Sequence, residues 1–245
     1  MCRLAAVLTT LVSLISSIAC CCPCNRPFVI QPPPVVVQGP ANNNPPPAEK
    51  KPMPPQPKSP PAVAGAQRTY DLIPIIDLKW DIVDGEGKWQ LQGTQLKCVE
   101  GNFVPRVQIP YSPPQEYDYV VTFSQPSLRN GVSLIMPKPG GGTFYWAVGF
   151  KNGSGYGFDP DHGADLPKLI EPNMQYVVTA QVRQGSVKGL VNGKMLMEHR
   201  DVRNLRADDW RRMKNESILG IACDDPCTFH RIQIVEVTGK GKPAR

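Results

Sequence analysis

From Lys88 onward, apolar and polar residues alternate along most of the chain. In "KWQLQGTQLKCV", Trp89 and Leu91 alternate with polar residues, and Leu96 and Cys98 repeat the pattern beyond Gly93-Thr94. The four can therefore share one side of a hairpin. "YDYVVTFSQP" sets Tyr117, Tyr119, Val121 and Phe123 against Asp118, Val120, Thr122 and Ser124, which predicts a half-buried strand ending at Pro126. Further strands are expected over 132–136, 143–149, 175–183, 186–191, 194–199, 217–223 and 228–237. Asn192-Gly193 joins two of these, and that pair readily takes the positive φ values a tight hairpin turn requires. "LRADDWRRMK" alone reads as helix: Asp208 and Asp209 near its start, with Arg211, Arg212 and Lys214 near its end, suit the helix dipole. Trp210 would pack that helix onto the core. Ten or more short strands in one domain of about 175 residues imply an all-β sandwich or barrel.

The first third of the chain has no such alternation. Leu4 to Ala19 is an apolar run of 16 residues behind Arg3. It is shorter than the roughly 20 a spanning helix needs, and has the form of a secretory signal. Ser17-Ile18-Ala19-Cys20 resembles the lipobox of bacterial lipoproteins, in which Cys20 would carry the lipid and begin the mature chain; Cys21 is the alternative acceptor. A plain cleaved signal and a retained, palmitoylated anchor are the other readings. Between Pro23 and Pro61 stand 15 of the chain's 28 prolines. Proline fixes φ and lacks an amide hydrogen, so this segment favours an extended spacer over a packed core. The expected organisation is a signal over 1–19, a lipidated cysteine cluster and disordered linker over 20–66, a sandwich over 67–239, and a frayed basic tail over 240–245. The formal charge of +6 is modest, and no basic run is interleaved with aromatics. Nucleic-acid binding is not expected.

"GKWQLQGTQLKC", "RVQIPYSPPQEYDYVVTF", "NGVSLIMPKPGGGTFYWAVGF", "MQYVVTAQVRQGSVKGLVNGKMLME" and "TFHRIQIVEVTG" occur in that order. Together they resemble bacterial concanavalin A-like, laminin G-like domains, and most of all the branch named for 3-keto-disaccharide hydrolases. The likeness spans nearly all of Tyr70 to Gly239. It implies a jelly-roll β-sandwich, and it implies either sugar binding or hydrolysis of keto-sugar glycosides.

The chemistry is sparser. Retaining glucanases need paired carboxylates about 5 Å apart, yet no Glu-x-Asp-x-Glu triplet occurs; "EYDYVV" offers only Glu116 and Asp118. A nucleophile elbow, a phosphate loop and a dinucleotide fingerprint are also missing from the sequence. The histidines are His162, His199 and His230. In "KNGSGYGFDPDHGADLPK", Asp159, Asp161 and Asp165 alternate as calcium ligands can. The same loop reads equally as a sugar contact or as a plain connection. Sugar rings stack on aromatic faces, which makes Tyr145, Trp146 and Tyr156 candidate ligand contacts beside Asp161 and His162. For each aromatic, core packing is the competing reading. Cys223 and Cys227 flank "DDP" and could close that turn as a disulfide; free thiols and a pairing with Cys98 remain open.

The leading expectation is a non-catalytic module without a resident cofactor, tethered to a bacterial cell envelope by lipid, recognising a glycan or another envelope component. A hydrolase using Asp161, His162 or Glu116 is the alternative. A structural sandwich without a ligand is the third.

Overall fold

The structure is a computed structural model and describes residues 67–84, 87–101, 104–127 and 129–245. The signal, Cys20, Cys21 and the proline spacer lie outside these residues. In chain order the strands are β1 (Arg68–Asp71), β2 (Ile82–Val83), β3 (Lys88–Gln92), β4 (Gln95–Glu100), β5 (Arg106–Ile109), β6 (Tyr111–Ser112), β7 (Glu116–Ser124), β8 (Asn130–Pro137), β9 (Thr143–Gly149), β10 (Gly155–Gly157), β11 (Gly163–Asp165), β12 (Gln175–Arg183), β13 (Ser186–Val191), β14 (Lys194–His199), β15 (Leu219–Cys223), β16 (Cys227–Thr238) and β17 (Lys242–Pro243).

These strands form two large antiparallel sheets. One has the order β14-β13-β12-β7-β16-β4-β3, with β1 added along β16, and the other β11-β10-β9-β8-β15-β5-β2. The chain changes sheet between β1 and β2, β2 and β3, β4 and β5, β5 and β7 by way of β6, β7 and β8, β11 and β12, β14 and β15, and β15 and β16. Repeated crossings between two packed antiparallel sheets make this a jelly-roll β-sandwich. The alternation of β7 does what a half-buried strand requires: Tyr117, Tyr119, Val121 and Phe123 are buried. They pack with Phe144, Trp146 and Val148 of the opposite sheet in one core. The β3–β4 hairpin pairs Trp89 with Cys98 and Leu91 with Leu96. The β13–β14 hairpin turns through Asn192 and Gly193, at φ 49° and 77°. Gly189 of β13 admits the Trp146 ring from across the sandwich; a Cβ there would come within 2.5 Å of it.

The second sheet is covered on its outer side too. Val83, Ile135, Tyr145, Ala147, Met213 and Ala222 form a smaller cluster there, away from the main core. Strands β9 and β15 are therefore buried on both faces. The cover is the "LRADDWRRMK" segment, and it corrects the helical expectation. Only the short 3-10 turn Asp209–Arg211 forms, and Trp210 is 56% exposed instead of packed into the core. The segment is held by what it touches: Ala207 N–H donates to Thr143 O at 2.7 Å, and Met213 sits against Gly220.

The tail is not frayed either. β17 pairs with β6, and Arg245 lies 2.6 Å from the buried Asp81 carboxylate. Tyr111 OH donates to Glu236 at 2.7 Å beside this docking point. The basic residues that suggested a loose end thus include an ion-pair partner for a buried acid. Among the described residues no helix is long and apolar enough to cross a membrane.

Candidate functional site

The outer face of the β9 sheet carries a cleft of about 520 Å³ between the 159–165 loop and the covering segment. Tyr145 and Ala147 of β9 lie at its floor, and Asp208, Arg211 and Asp224 line one side. Their positions follow from the fold: Asp208 and Arg211 lie on the cover, Asp224 follows the last residue of β15, and Tyr145 faces outward because Phe144 and Trp146 face the core.

Arg211 is the hub. Its guanidinium lies 4.6 Å from the Tyr145 ring centroid, in cation–π contact. Its Nε donates to Ser133 Oγ at 2.9 Å and its Nη1 to Asp208 Oδ2 at 2.7 Å. Nη2 is 3.9 Å from Asp224 Oδ2. Tyr145 OH donates to Asp208 Oδ2 at 3.4 Å. Burial raises the Tyr145 phenol well above its ordinary range, and Arg211 only partly opposes this. Burial also pushes the Asp224 carboxyl up to about 6, again against the pull of Arg211 and with the help of the negative Asp225 and Asp208. Asp208 and Asp224 each keep a buried Oδ1 without a hydrogen-bond partner among the described residues. One guanidinium thus serves two carboxylates in a partly desolvated cleft, and Asp224 is the less well compensated of the two.

The opposite wall is organised by Asp159, which is buried. Its carboxylate accepts from the backbone N–H of Asp161 at 2.9 Å, His162 at 2.6 Å and Arg206 at 3.4 Å. The imidazole Nδ1 of His162 lies 2.8 Å from the same carboxylate. His162 is thereby oriented toward His199, the two ring centroids being 4.5 Å apart. Asp161 pairs with Arg206 and Asp165 with Lys151, each at 2.9 Å.

These partners correct the calcium expectation for Asp159, Asp161 and Asp165. Each carboxylate is turned to a different protein group, and among the described residues no set of three or more acidic, Cys or His side chains converges on one point. Trp146 and Tyr156 are corrected as ligand contacts: both are fully buried in the main core, and Tyr156 OH donates to Gly153 O. Tyr145 does reach the cleft, but Arg211 covers its ring face. Asp161 lines the cleft, while His162 stands on the loop beside it. Glu116 belongs to the other sheet, where it accepts from Gln184 N–H at 3.0 Å, and it takes no part in the cleft. Cys223 and Cys227 are free thiols, so no bond closes their turn; the buried Asp225 carboxylate holds it instead, accepting from Asn130 N–H at 3.0 Å.

Asp208, Arg211, Ser133 and Asp224 escape sequence reasoning. The first two read as helix-dipole residues and the last as a turn residue, and only the fold brings β8, β15 and the cover together. A larger depression of about 680 Å³ lies beside Pro113, Pro114 and Gly140 to Gly142, without a comparable set of converging charges.

No protein-family model matches the chain, and no curated protein does. Solved structures do resemble it. A carbohydrate-binding module, CBM66, from Bacillus subtilis aligns at 10% identity and a TM-score of 0.43, over 60% of this chain and 91% of that one. A Bacillus licheniformis β-glucanase aligns at 9% identity and 0.46, over 71% and 100%. The Caenorhabditis elegans galectin LEC-6 aligns at 11% and 0.38, over 62% and 98%. It is the strand order, and not these distant likenesses, that establishes the jelly-roll sandwich.

Proposed function

We propose that the sandwich is a glycan-binding module whose site is the cleft over Tyr145, and that a lipid on Cys20 tethers it to a bacterial cell envelope. The observation that carries the first part is the cleft itself. Its volume falls within the roughly 300–1,000 Å³ typical of small-ligand sites. Its converging polar groups, Asp208, Arg211 and Asp224, keep between 15% and 21% of their side chains exposed. Carboxylates accept from sugar hydroxyls and guanidinium donates to them, and such charge-assisted bonds are the stronger kind.

A glycan array probed with the full chain in detergent tests this reading. Retention on a defined subset of glycans, weakened about tenfold or more by Asp208→Asn or Arg211→Lys, is the expected result. An empty array, or variants that bind as well as the wild type, refutes it. The tether has a separate test: Cys20→Ser should leave the membrane fraction, and unchanged membrane retention removes this acceptor.

One observation favours a second reading, that of a hydrolase acting on keto-sugar glycosides. Asp224, with its carboxyl pushed up to about 6, stands near Arg211, which also holds Asp208. Two carboxylates in contrasting environments are what acid and base roles require. Turnover of 3-keto-glucosides that vanishes in Asp224→Asn would support this assignment, and no turnover by the wild type would eliminate it.

A further inference from the structure

The other large sheet carries a polar constellation of its own, on the face of the sandwich opposite the cleft. Strand β16 runs there between β7 and β4. Its pairing with β7 slips between Phe229 and Arg231, which makes a bulge with His230 as the extra residue. In a regular strand Phe229 and Ile232, three positions apart, would face opposite ways. The bulge lets both enter the core, so the two residues between them, His230 and Arg231, face outward together. Ser124 ends β7 beside the buried Phe123, and Gln95 begins β4 beside the buried Leu96, which turns both to the same outer face. His230 stands between them. Ser124 Oγ is 2.8 Å from its Nε2, and the Gln95 side-chain amide is 3.0 Å from its Nδ1. A hollow of about 430 Å³ opens alongside, lined by Thr122, Gln175, Val177, His230 and Arg231.

We propose that this is a second, catalytic site, in which Ser124 is a nucleophile toward short-chain carboxylic esters, His230 its general base and Gln95 the residue that positions the imidazole. It shares no residue with the cleft over Tyr145 and does not depend on the glycan-binding reading.

A serine hydroxyl is a weak nucleophile unless a base within hydrogen-bond reach takes its proton, and the base works best when a third group fixes its tautomer. Three adjacent strands supply these relations. With the Gln95 amide turned so that its oxygen accepts from Nδ1–H, the lone pair of Nε2 is left for the Ser124 hydroxyl; turning the amide over exchanges oxygen for nitrogen at the same point. Bulges re-aim side chains beside active sites. Here the re-aimed residue is the base. Burial and the nearby Lys97 disfavour the imidazolium, so His230 is neutral at pH 7 and free to accept a proton. Gln175 and Arg231 line the hollow and can donate to the substrate carbonyl oxygen as charge develops on it. Val177 alone among the lining residues is apolar, which suits an acetyl-sized group better than a long chain.

The reaction needs only ester and water. Ser124 Oγ attacks the carbonyl carbon while its proton passes to Nε2. The tetrahedral intermediate expels the alcohol, which leaves with that proton. Water then attacks the acyl-serine and gives a proton to Nε2, the bond from the acyl carbon to Oγ breaks, and Oγ recovers the proton. The products are a carboxylic acid and an alcohol.

The experiment treats the full chain in detergent with a fluorophosphonate, maps the adduct by peptide mass spectrometry, and follows release of nitrophenol from p-nitrophenyl acetate. The expected result is an adduct on Ser124 and ester turnover, both abolished in Ser124→Ala. His230→Gln, with its fold checked by circular dichroism, should label at least about 100-fold more slowly. Wild-type labelling should rise with pH through a midpoint below about 6.5. The charged side chains flanking the imidazole are Lys97 on β4 and Arg231 on β16, while β7 and β12 present the uncharged Thr122, Ser124 and Gln175. Gln95→Glu sets a carboxylate against Nδ1 and should move that midpoint up by about one unit, which a merely structural contact would not do. No adduct on Ser124, or labelling as fast in His230→Gln as in the wild type, overturns the proposal. A midpoint unmoved in Gln95→Glu overturns the role of Gln95.

Discussion

Replacing Asp224 with Asn offers a quantitative test of the cleft's electrostatics. The substitution keeps the shape of the side chain and removes its titration. In the folded protein, burial holds the Asp224 carboxyl at about 6, whereas in the unfolded chain it titrates near its ordinary value of about 3.9. Between these values the folded state carries an extra proton, so wild-type stability falls as pH rises from about 4 to about 6 and then levels off. The loss amounts to about two pH units at about 1.4 kcal/mol each, or about 3 kcal/mol. The side chain is only 19% exposed, so solvent screening trims this modestly. Asp224→Asn should therefore match the wild type at pH 4 and exceed it by about 2–3 kcal/mol at pH 7.5. For a domain of this size that is roughly 5–10 °C in Tm. Thermal unfolding followed by circular dichroism across this pH range is the assay. A difference between the two proteins that does not change with pH, or a variant less stable than wild type at pH 7.5, would refute the assignment of an uncompensated buried carboxylate.

Other consequences follow from the same contacts. Arg211→Ala leaves Asp208 and Asp224 without their shared cation and should cost about 3 kcal/mol in chemical denaturation; Arg211→Lys, which cannot reproduce the planar fork or the stack on Tyr145, should recover only part of it. Trp146→Ala should cost about 3–5 kcal/mol through cavity formation, yet leave the affinity of the remaining folded protein for any bound glycan unchanged, as isothermal titration would show. Gly189→Ala forces a methyl group into the Trp146 ring and should cost roughly 1–3 kcal/mol, which a lowered denaturant midpoint would reveal. Burial, reinforced by Lys97, lowers the ionisation of His230, which sits between Gln95 and Ser124. The folded state then binds fewer protons at this site than the unfolded one just below pH 6.5, so this residue's contribution to stability should rise with pH through that window, and His230→Gln should flatten it.

What the chain's own pattern determined was the set of strands and their class. Alternation located β7, β9, β12, β13 and β14, and Asn192-Gly193 located the turn between the last two. These are local features: a side chain points to one face or the other of its own strand, and a turn's backbone angles depend on its own residues. Alternation failed where a strand is buried twice. In β9 both faces are apolar because the cover segment packs on the second, so Trp146 as core and Tyr145 as cleft floor could not be told apart by periodicity.

The site itself was decided only in three dimensions. Charges in "LRADDWRRMK" satisfy a helix dipole on paper, but in the fold they answer to Ser133, Tyr145 and Asp224, which come from three other stretches of chain. Carboxylates spaced for a metal turn instead to Arg206, Lys151 and backbone amides. Periodicity records which way a side chain faces, while partnership depends on which strands the sandwich stacks, and that is set by packing summed over the whole core.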